Sequence, residues 1–545
     1  MSSYFSQAAA CAGVAGALYV TSPAIWAGLR KRSIENNTAY FDMQKLGTSR
    51  EASTKIPGTA VVCGGSIAGL ITARVCHDHF ERVLIIEPEA WLTTEEGQLT
   101  EAYAQASKRA RIMQYDAYHG FHAFVYSALA NLFPNFDEEA ANSDVKVDRT
   151  NMDFRVSGVA PPPAPKYYGG NYPKRLWGSR RGLETLLRRL ALDKKAYPNI
   201  EQVVGSVVSL VPDKHHSGTL AGVVYRDETG TTREIPAALI IDATGAAQAG
   251  QKWLSELGYA QDLHIQSYNP RAVYACIIMR VPPSFWDSLS HMPDNARGPG
   301  AGPVMFLMPN IEKENRAAVV VRNEHGFIHM IAAAWGSPDM PTTLDEYIAF
   351  VHSLHVLEPL PDWLFDFLDK LHEVEDTFTL QKIRQSPSSL LPYEKCQSLP
   401  DNFIALGDAN CRINPIYGQG FAKVVTGASC LNTLLWQTRN DLVIPRNFGR
   451  KFFNLQAPKI QPFWTSPKLF DYPRPDTVPV PGEYDTQFFK FMRWYFGSIR
   501  KLARKDEQAN LVIYRNGMML DSAPIDLFHP LLVTKVFWRW LTGVA

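Results

Sequence analysis

An excess of charge of either sign is missing from this chain. Its 545 residues hold 55 Lys and Arg against 54 Asp and Glu, a formal net charge of +1. That balance gives no electrostatic support to a nucleic-acid partner. Cysteine is sparse too. The seven are scattered, odd in number and form no C-x-x-C pair, which fits a reducing compartment and argues against a zinc site. His119 and His122 stand three apart without a supporting carboxylate or cysteine set, so they read as packing or hydrogen-bonding residues and no metal is expected. No Ser-His-Asp set and no carboxylate pair stands out, and no residue is singled out as catalytic. What is present is a 46% apolar chain, long enough for two or three packed units.

The most informative stretch is Thr59-Ala60-Val61-Val62-Cys63 followed by Gly64-Gly65-Ser66-Ile67-Ala68-Gly69. The first part reads as a buried parallel strand. A helical pattern begins at Leu70. Strand, glycine turn and helix together make a phosphate-binding fingerprint. Gly64 permits the tight turn, and Gly69 lets helix and strand pack closely. The helix N-terminus then offers N–H groups and partial positive charge to a pyrophosphate. A second strand, Arg82-Val83-Leu84-Ile85-Ile86, ends at Glu87, where an acidic residue binds the ribose of a dinucleotide. Ser66 departs from G-x-G-x-x-G but is small enough to keep the backbone close to a phosphate. A nucleophile elbow is a poor rival, because position 68 is alanine and not glycine.

Two distant fragments extend this site. Arg180 opens the pattern R-x-x-L-E-x-x-L-R, with Leu183, Leu186, Leu187 and Leu190 on one helical face. Arg180 at the helix start is placed to reach a flavin phosphate or ribitol oxygen, whereas Arg188 and Arg189 read as a basic outer face. Near the C-terminal third, the strand Phe403-Ile404-Ala405-Leu406 leads into Gly407-Asp408. The loop Asn414-Pro415-Ile416-Tyr417-Gly418-Gln419-Gly420 follows, then a helix from Phe421. Asp408 is suited to ribitol hydroxyls, and this second helix N-terminus to the electron-rich edge of a reduced flavin. A further strand, Ala238-Leu239-Ile240-Ile241, runs into Asp242-Ala243-Thr244-Gly245 and reads as central in the same sheet. Cys63 and Cys411, beside these motifs, read as small packing residues.

From about Gly58 to Leu435 the chain resembles the class A FAD-dependent monooxygenases, with the p-hydroxybenzoate hydroxylase-like fold shared by squalene epoxidase and fungal secondary-metabolism oxygenases. The resemblance implies an α/β architecture: a Rossmann-type FAD-binding domain, an inserted, mostly antiparallel β substrate domain and a C-terminal helical region. It implies that Gly64, Gly65, Ser66, Gly69 and Glu87 bind the ADP part of FAD. Arg180 matches the family's flavin-contacting arginine, Asp408 its Gly-Asp motif, and Pro415, Gly418, Gln419 and Gly420 the loop beside the isoalloxazine. Arg111 and Gln114 fall in a stretch, Lys108 to Gln114, that resembles one near the cofactor. The implied activity is epoxidation or hydroxylation of a lipophilic polyketide or terpenoid by O2, with NADPH or NADH as a transient electron donor, and rearrangement or cyclisation as a sequel.

The chain also departs from the family. Asp242-Ala243-Thr244-Gly245 replaces the Asp-Gly motif tied to FAD and NADPH, a form that occurs in related reductases and halogenases. No second dinucleotide fingerprint is present. The halogenase motif W-x-W-x-I-P is absent, since Trp538-Arg539-Trp540 is followed by Leu541-Thr542-Gly543. A reductase or dehydrogenase of the geranylgeranyl reductase type, and a non-catalytic prenyl-binding escort protein, are the alternatives.

The remaining organisation is legible in outline. Residues Ala8 to Leu29 are uncharged and mostly apolar, about the length that spans a bilayer, and Arg30-Lys31-Arg32 follow. No basic residue precedes the run, so it lacks a signal-peptide n-region. It reads as a membrane anchor over 1–32 with the catalytic part in the cytosol, the alternatives being a helix lying on the membrane or packed on the protein. Residues 33–57 read as a linker. The flavin domain covers 58–261 and 401–440, with the proline-rich loop Ala160 to Pro165 inside it. The substrate sheet fills 262–400, with strands at Arg271 to Val281, Gly302 to Met308, Ala317 to Arg322 and Phe327 to Trp335. Residues 441–545 form aromatic and basic helices, read either as membrane-interface helices or as a cap on the substrate domain.

Overall fold

The computed structural model describes residues 23–543 apart from 113, 121, 150–153, 161–167, 298–303 and 337. Most of the apolar N-terminal stretch and most of the proline-rich loop lie outside the described residues. Among the described residues, no helix is long and apolar enough to cross a membrane.

A seven-stranded sheet carries the glycine fingerprint. It comprises β1 (Ile56–Cys63), β2 (Phe80–Glu87), β7 (Ile200–Pro212), β8 (Leu220–Asp227), β9 (Thr232–Pro236), β10 (Leu239–Asp242) and β18 (Phe403–Ala405). Their spatial order is β18-β10-β1-β2-β7-β8-β9. The first five are parallel, and β8 and β9 extend the edge as antiparallel strands. Chain order and spatial order differ most at β18, which returns after more than 150 residues to lie beside β10. The central strands are the apolar runs that the sequence marks, and Val61, Val62, Leu84, Ile85, Ile240, Ile241 and Ile404 are fully buried. Runs that are apolar on both faces belong in a sheet covered on both sides. Helix α1 (Ile67–His77) is part of that cover. Gly64 has φ +111°, and a Cβ on Gly69 would collide with the carbonyl oxygen of Gly64. Only glycine allows this turn and this approach of helix to strand.

A three-stranded sheet, β3 (Tyr118–Gly120), β6 (Arg175–Ser179) and β4 (Lys146–Asp148), leads into helix α2 (Arg180–Ala191). A six-stranded sheet holds β5 (Phe154–Val156), β12 (Ala272–Arg280), β13 (Met305–Met308), β14 (Arg316–Arg322), β15 (Phe327–Trp335) and β16 (Thr379–Arg384), in the order β16-β12-β15-β14-β13-β5. All its pairings are antiparallel except β13 with β5. Alternation gives it two apolar faces. Ile277, Met279, Val320, Ile328 and Met330 pack with helices α3 (Leu344–His352) and α4 (Asp362–Lys370). Tyr274, Ala317, Ala333 and Trp335 point the other way, where they meet Ile416 and Tyr417. A small sheet of β11 (Gln266–Tyr268), β17 (Ser388–Leu390) and β19 (Cys411–Arg412) lies next to the Asp408 turn.

The C-terminal third is helical: α5 (Gly420–Gln437), α6 (Phe448–Asp471), α7 (Gln487–Ala503), α8 (Glu507–Met518) and α9 (Pro530–Thr542). The segment 33–57 is not a free linker. Residues 23–37 and 40–43 are helical, and Ile34, Met43 and Leu46 are buried. Arg50 donates to the carbonyls of Leu435, Thr438 and Asp441 at the end of α5. These contacts were invisible in a segment whose local composition is polar.

Candidate functional site

The turn after β1 rests on a buried ionic cluster. The Gly65 N–H donates to Glu87 Oε2 at 2.8 Å, and the Arg188 guanidinium donates to the Gly65 carbonyl at 2.6 Å. Ser66 does not cap α1 with its own side chain. Its hydroxyl donates to Glu184 Oε2 at 2.7 Å and accepts from Arg180 at 2.8 Å. The residue that departs from the glycine pattern is thus the link between the fingerprint and α2. Glu184 is also bonded to Arg109 and Arg188. Burial raises its carboxyl, but Arg109, Arg180 and Arg188 outweigh that and hold it at about 2. Glu87 and Glu89 face Arg109 at 3.2 and 3.1 Å.

Three carboxylates and three guanidiniums balance one another inside this cluster. Arg180 keeps the most exposed side chain of the three arginines, at 20% against 4% for Arg109 and 0% for Arg188. It is the cation free to turn toward an added phosphate. Arg188 does not lie on an outer face as its sequence position suggested; it is fully buried under the turn. Arg109, which the sequence did not single out, is the buried member of its stretch, while Arg111 is exposed and Gln114 half-buried.

Asp408 lies on the other side. Its side chain is 45% exposed and pairs with Lys423, which is fully buried in the first turn of α5 and also donates to the Cys411 carbonyl. Burial pushes the Asp408 carboxyl up, but Lys423, Arg180 and Arg412 bring it below its usual range. Arg180 and Asp408 therefore feel one another across the space between the two motifs. His119 on β3 sits in the same field; burial and Arg180 hold its imidazole at about 3, so it is neutral at physiological pH. The loop 415–420 forms a turn at Pro415–Tyr417, a left-handed Gly418 with φ +67°, and Gln419 at the N-cap of α5. Gln419 makes no side-chain cap bond, and its buried Oε1 has no hydrogen-bond partner among the described residues.

FAD fits this arrangement. Two helix N-termini not capped by side chains, a half-exposed carboxylate, an arginine with an exposed edge and an orphaned amide oxygen surround one region. Glu87 is already engaged by Gly65, Glu89 and Arg109, so it props the turn as well as facing any ribose. Cys63 and Cys411 are buried, and burial pushes both thiols up, Cys411 to about 12. That is the behaviour of packing residues.

Sequence reading missed a second carboxylate, Asp471 at the end of α6. It is completely buried and accepts from four side chains: Tyr417 and Trp335 at 2.7 and 2.8 Å on Oδ1, Tyr268 at 3.0 Å on Oδ2, and Asn414 at 3.1 Å on both. Asn414 and Tyr417 belong to the flavin loop, and Trp335 to the sheet face opposite it. Burial raises the Asp471 carboxyl, and the four donors oppose that shift. One residue thereby fixes the loop, the substrate sheet and the C-terminal helices in register. Asp471→Asn swaps an acceptor for a donor among these groups. It is expected to cost about 2 kcal/mol in a urea titration and to weaken FAD binding measured by flavin fluorescence. An unchanged affinity would show that the loop holds its shape without Asp471.

The cavity of about 390 Å³ lined by Trp464, Lys468, Glu483 and Phe489 touches none of the flavin motifs. Among the described residues no His, Cys, Asp and Glu group has the geometry of a metal site.

No protein-family model and no curated protein matches the chain. Solved structures do. A flavoprotein/dehydrogenase from Cytophaga hutchinsonii aligns with a TM-score of 0.53 and 12% identity over 89% of this chain and 100% of that one. The flavin-dependent brominase Bmp2, as a triple mutant, gives 0.51 and 13% over 89% and 98%. P. aeruginosa PqsL in complex with 2-aminobenzoylacetate gives 0.50 and 13% over 84% and 99%. Likeness at this identity establishes the fold: a Rossmann-type α/β domain with an inserted, mostly antiparallel sheet and C-terminal helices.

Proposed function

We propose that the protein is an FAD-dependent monooxygenase acting on a lipophilic substrate. The convergence of Arg180, Asp408 and Gln419 on the space between two helix N-termini carries this reading. In it, the 64–69 turn and Arg180 hold the pyrophosphate, Asp408 takes ribitol hydroxyls on the side not occupied by Lys423, and the 415–420 loop lies against the ring system. When bound, FAD would supply the redox chemistry that links NADPH or NADH to O2. The protein's own residues then have three tasks: to orient the substrate, to exclude water and to keep nearby protons in place. The face formed by Tyr274, Ala317, Ala333, Trp335 and Met308 suits the first two, because it is apolar and lies against Ile416 and Tyr417. Tyr274 offers it one polar group, a hydroxyl bonded to Gln385 at 2.8 Å. Such a face fits a polyketide or terpenoid whose alkene or aromatic ring is oxidised, with rearrangement or cyclisation to follow.

Anaerobic NADPH followed by air tests the reading. Flavin absorbance that bleaches and returns, with peroxide formed in the absence of substrate, is the expected result. The Asp242-Ala243-Thr244-Gly245 sequence favours one second reading, a flavin dehydrogenase or reductase. In that case molecular oxygen leaves no label in the product.

A further inference from the structure

Helix α9 has an apolar face more than packing requires. Leu532 and Val536 are buried against α7 and α8. Leu531, Trp538 and Leu541 recur at intervals of seven and three, which places them together on the opposite side. Trp538 is 66% and Leu541 72% exposed. On the side toward α7, Trp540 is also exposed; its ring meets Trp494 at 6.1 Å, and Phe491, 5.6 Å from Trp494, is partly exposed.

The helix over 23–37 joins the same region. Trp26 meets His529, which caps α9, edge-on at 4.8 Å. Arg30 binds Asp521 and Asp526. Its apolar Ile25 and Leu29 are exposed.

Charge distinguishes the occupant. Residues 487–545 contain nine Lys and Arg against four Asp and Glu, in a chain whose net charge is only +1. Arg30-Lys31-Arg32 add to the same end. Lys490 and Lys501 are exposed on α7. A second copy of this chain would bring the same positive excess to the contact and be repelled. An anionic lipid surface attracts it, and exposed Trp beside Lys and Arg suits the headgroup boundary.

We infer that α7, α9 and the helix over 23–37 form a docking face that lies on an anionic lipid membrane. The inference stands apart from the flavin reading and does not depend on it. Leu531, Trp538 and Leu541 enter the acyl boundary, and the basic residues meet lipid phosphates and carboxylates. Since no described helix is long and apolar enough to cross a membrane, this face rests on the bilayer.

The test uses the full chain with Cys11→Ser and Leu541→Cys, labelled with an environment-sensitive fluorophore; the six described cysteines are buried. Vesicles are phosphatidylcholine alone or with added phosphatidylserine. Flotation with the phosphatidylserine vesicles and a blue-shifted label are expected. In the parent chain, Trp538→Ser/Leu541→Ser is expected to reduce partitioning about tenfold, with unchanged circular dichroism. Three results would overturn the inference: no flotation with either vesicle, flotation with the label still in water, or a vesicle-free dimer that the double variant converts to monomer.

Discussion

Asp408→Ala is expected to purify without flavin and to be less stable than the wild type by about 3 kcal/mol. Two causes act at once. The substitution removes the carboxylate that faces the ribitol position. It also leaves the Lys423 ammonium fully buried with, among the described residues, only the Cys411 carbonyl as a partner. The loss falls at the low end for a broken buried pair because the Asp408 side chain is itself half-exposed. The two causes separate in a double variant. Asp408→Ala/Lys423→Met removes both charges, so it should regain most of the stability in a urea titration while still binding no FAD. Full flavin occupancy in Asp408→Ala would remove Asp408 from the site. Recovery of both properties in the double variant would make its role purely structural.

Acid should destabilise the protein steeply as the pH falls below about 6.5. Four histidines are held neutral by their surroundings: His79 at about 4, and His119, His122 and His329 at about 3. Burial is the main cause in each. In the unfolded chain each takes a proton near pH 6.5. Below that pH the unfolded state binds protons that the folded state refuses, so stability is present above 6.5 and is lost as the pH falls. Each group contributes about 1.4 kcal/mol per pH unit, and four give about 5.5. At pH 5 the loss reaches about 8 kcal/mol, comparable to the whole stability of many domains. Glu184, held at about 2, acts only in a lower window. Asp242, Glu324 and Asp471, whose carboxyls burial raises, favour the folded state as acid is added and blunt the fall at its lower end. Thermal unfolding followed from neutral pH to pH 5 measures the slope. A flat melting temperature contradicts the assignment, and His122→Gln should reduce the slope by roughly one quarter.

The parts of the site legible in the sequence are those made by the backbone. Gly64, Gly69 and Gly418 announce a turn, a close approach and a left-handed cap because no other residue tolerates those positions well. The parallel strands were legible because burial on both faces writes them as unbroken apolar runs. The substrate strands followed from alternation, and Phe327–Trp335 matched to the residue.

Side-chain partners across long separations were not legible. Lys423 lies in the run Phe421-Ala422-Lys423-Val424-Val425; a charge inside so apolar a helix was the available signal that it is buried and paired. Arg188 lies on a helix buried at every position but Arg180 and Arg189, and periodicity alone could not show that the Gly65 carbonyl lies above it. Asp471 gave no local signal, since its four donors come from three separate stretches of chain. The polar segment 33–57 looked like a linker because its anchors, Asp42 to Lys459 and Arg50 to the end of α5, lie some 400 residues away and leave no trace in local composition.

The most direct measurement is the absorbance spectrum of the purified protein, before and after addition of FAD and removal of the excess. The account predicts flavin bands that stay with the protein and shift from those of free FAD, as the ring leaves water for the loop around Gln419. A colourless protein that retains no FAD after reconstitution, with its circular dichroism intact, would contradict it.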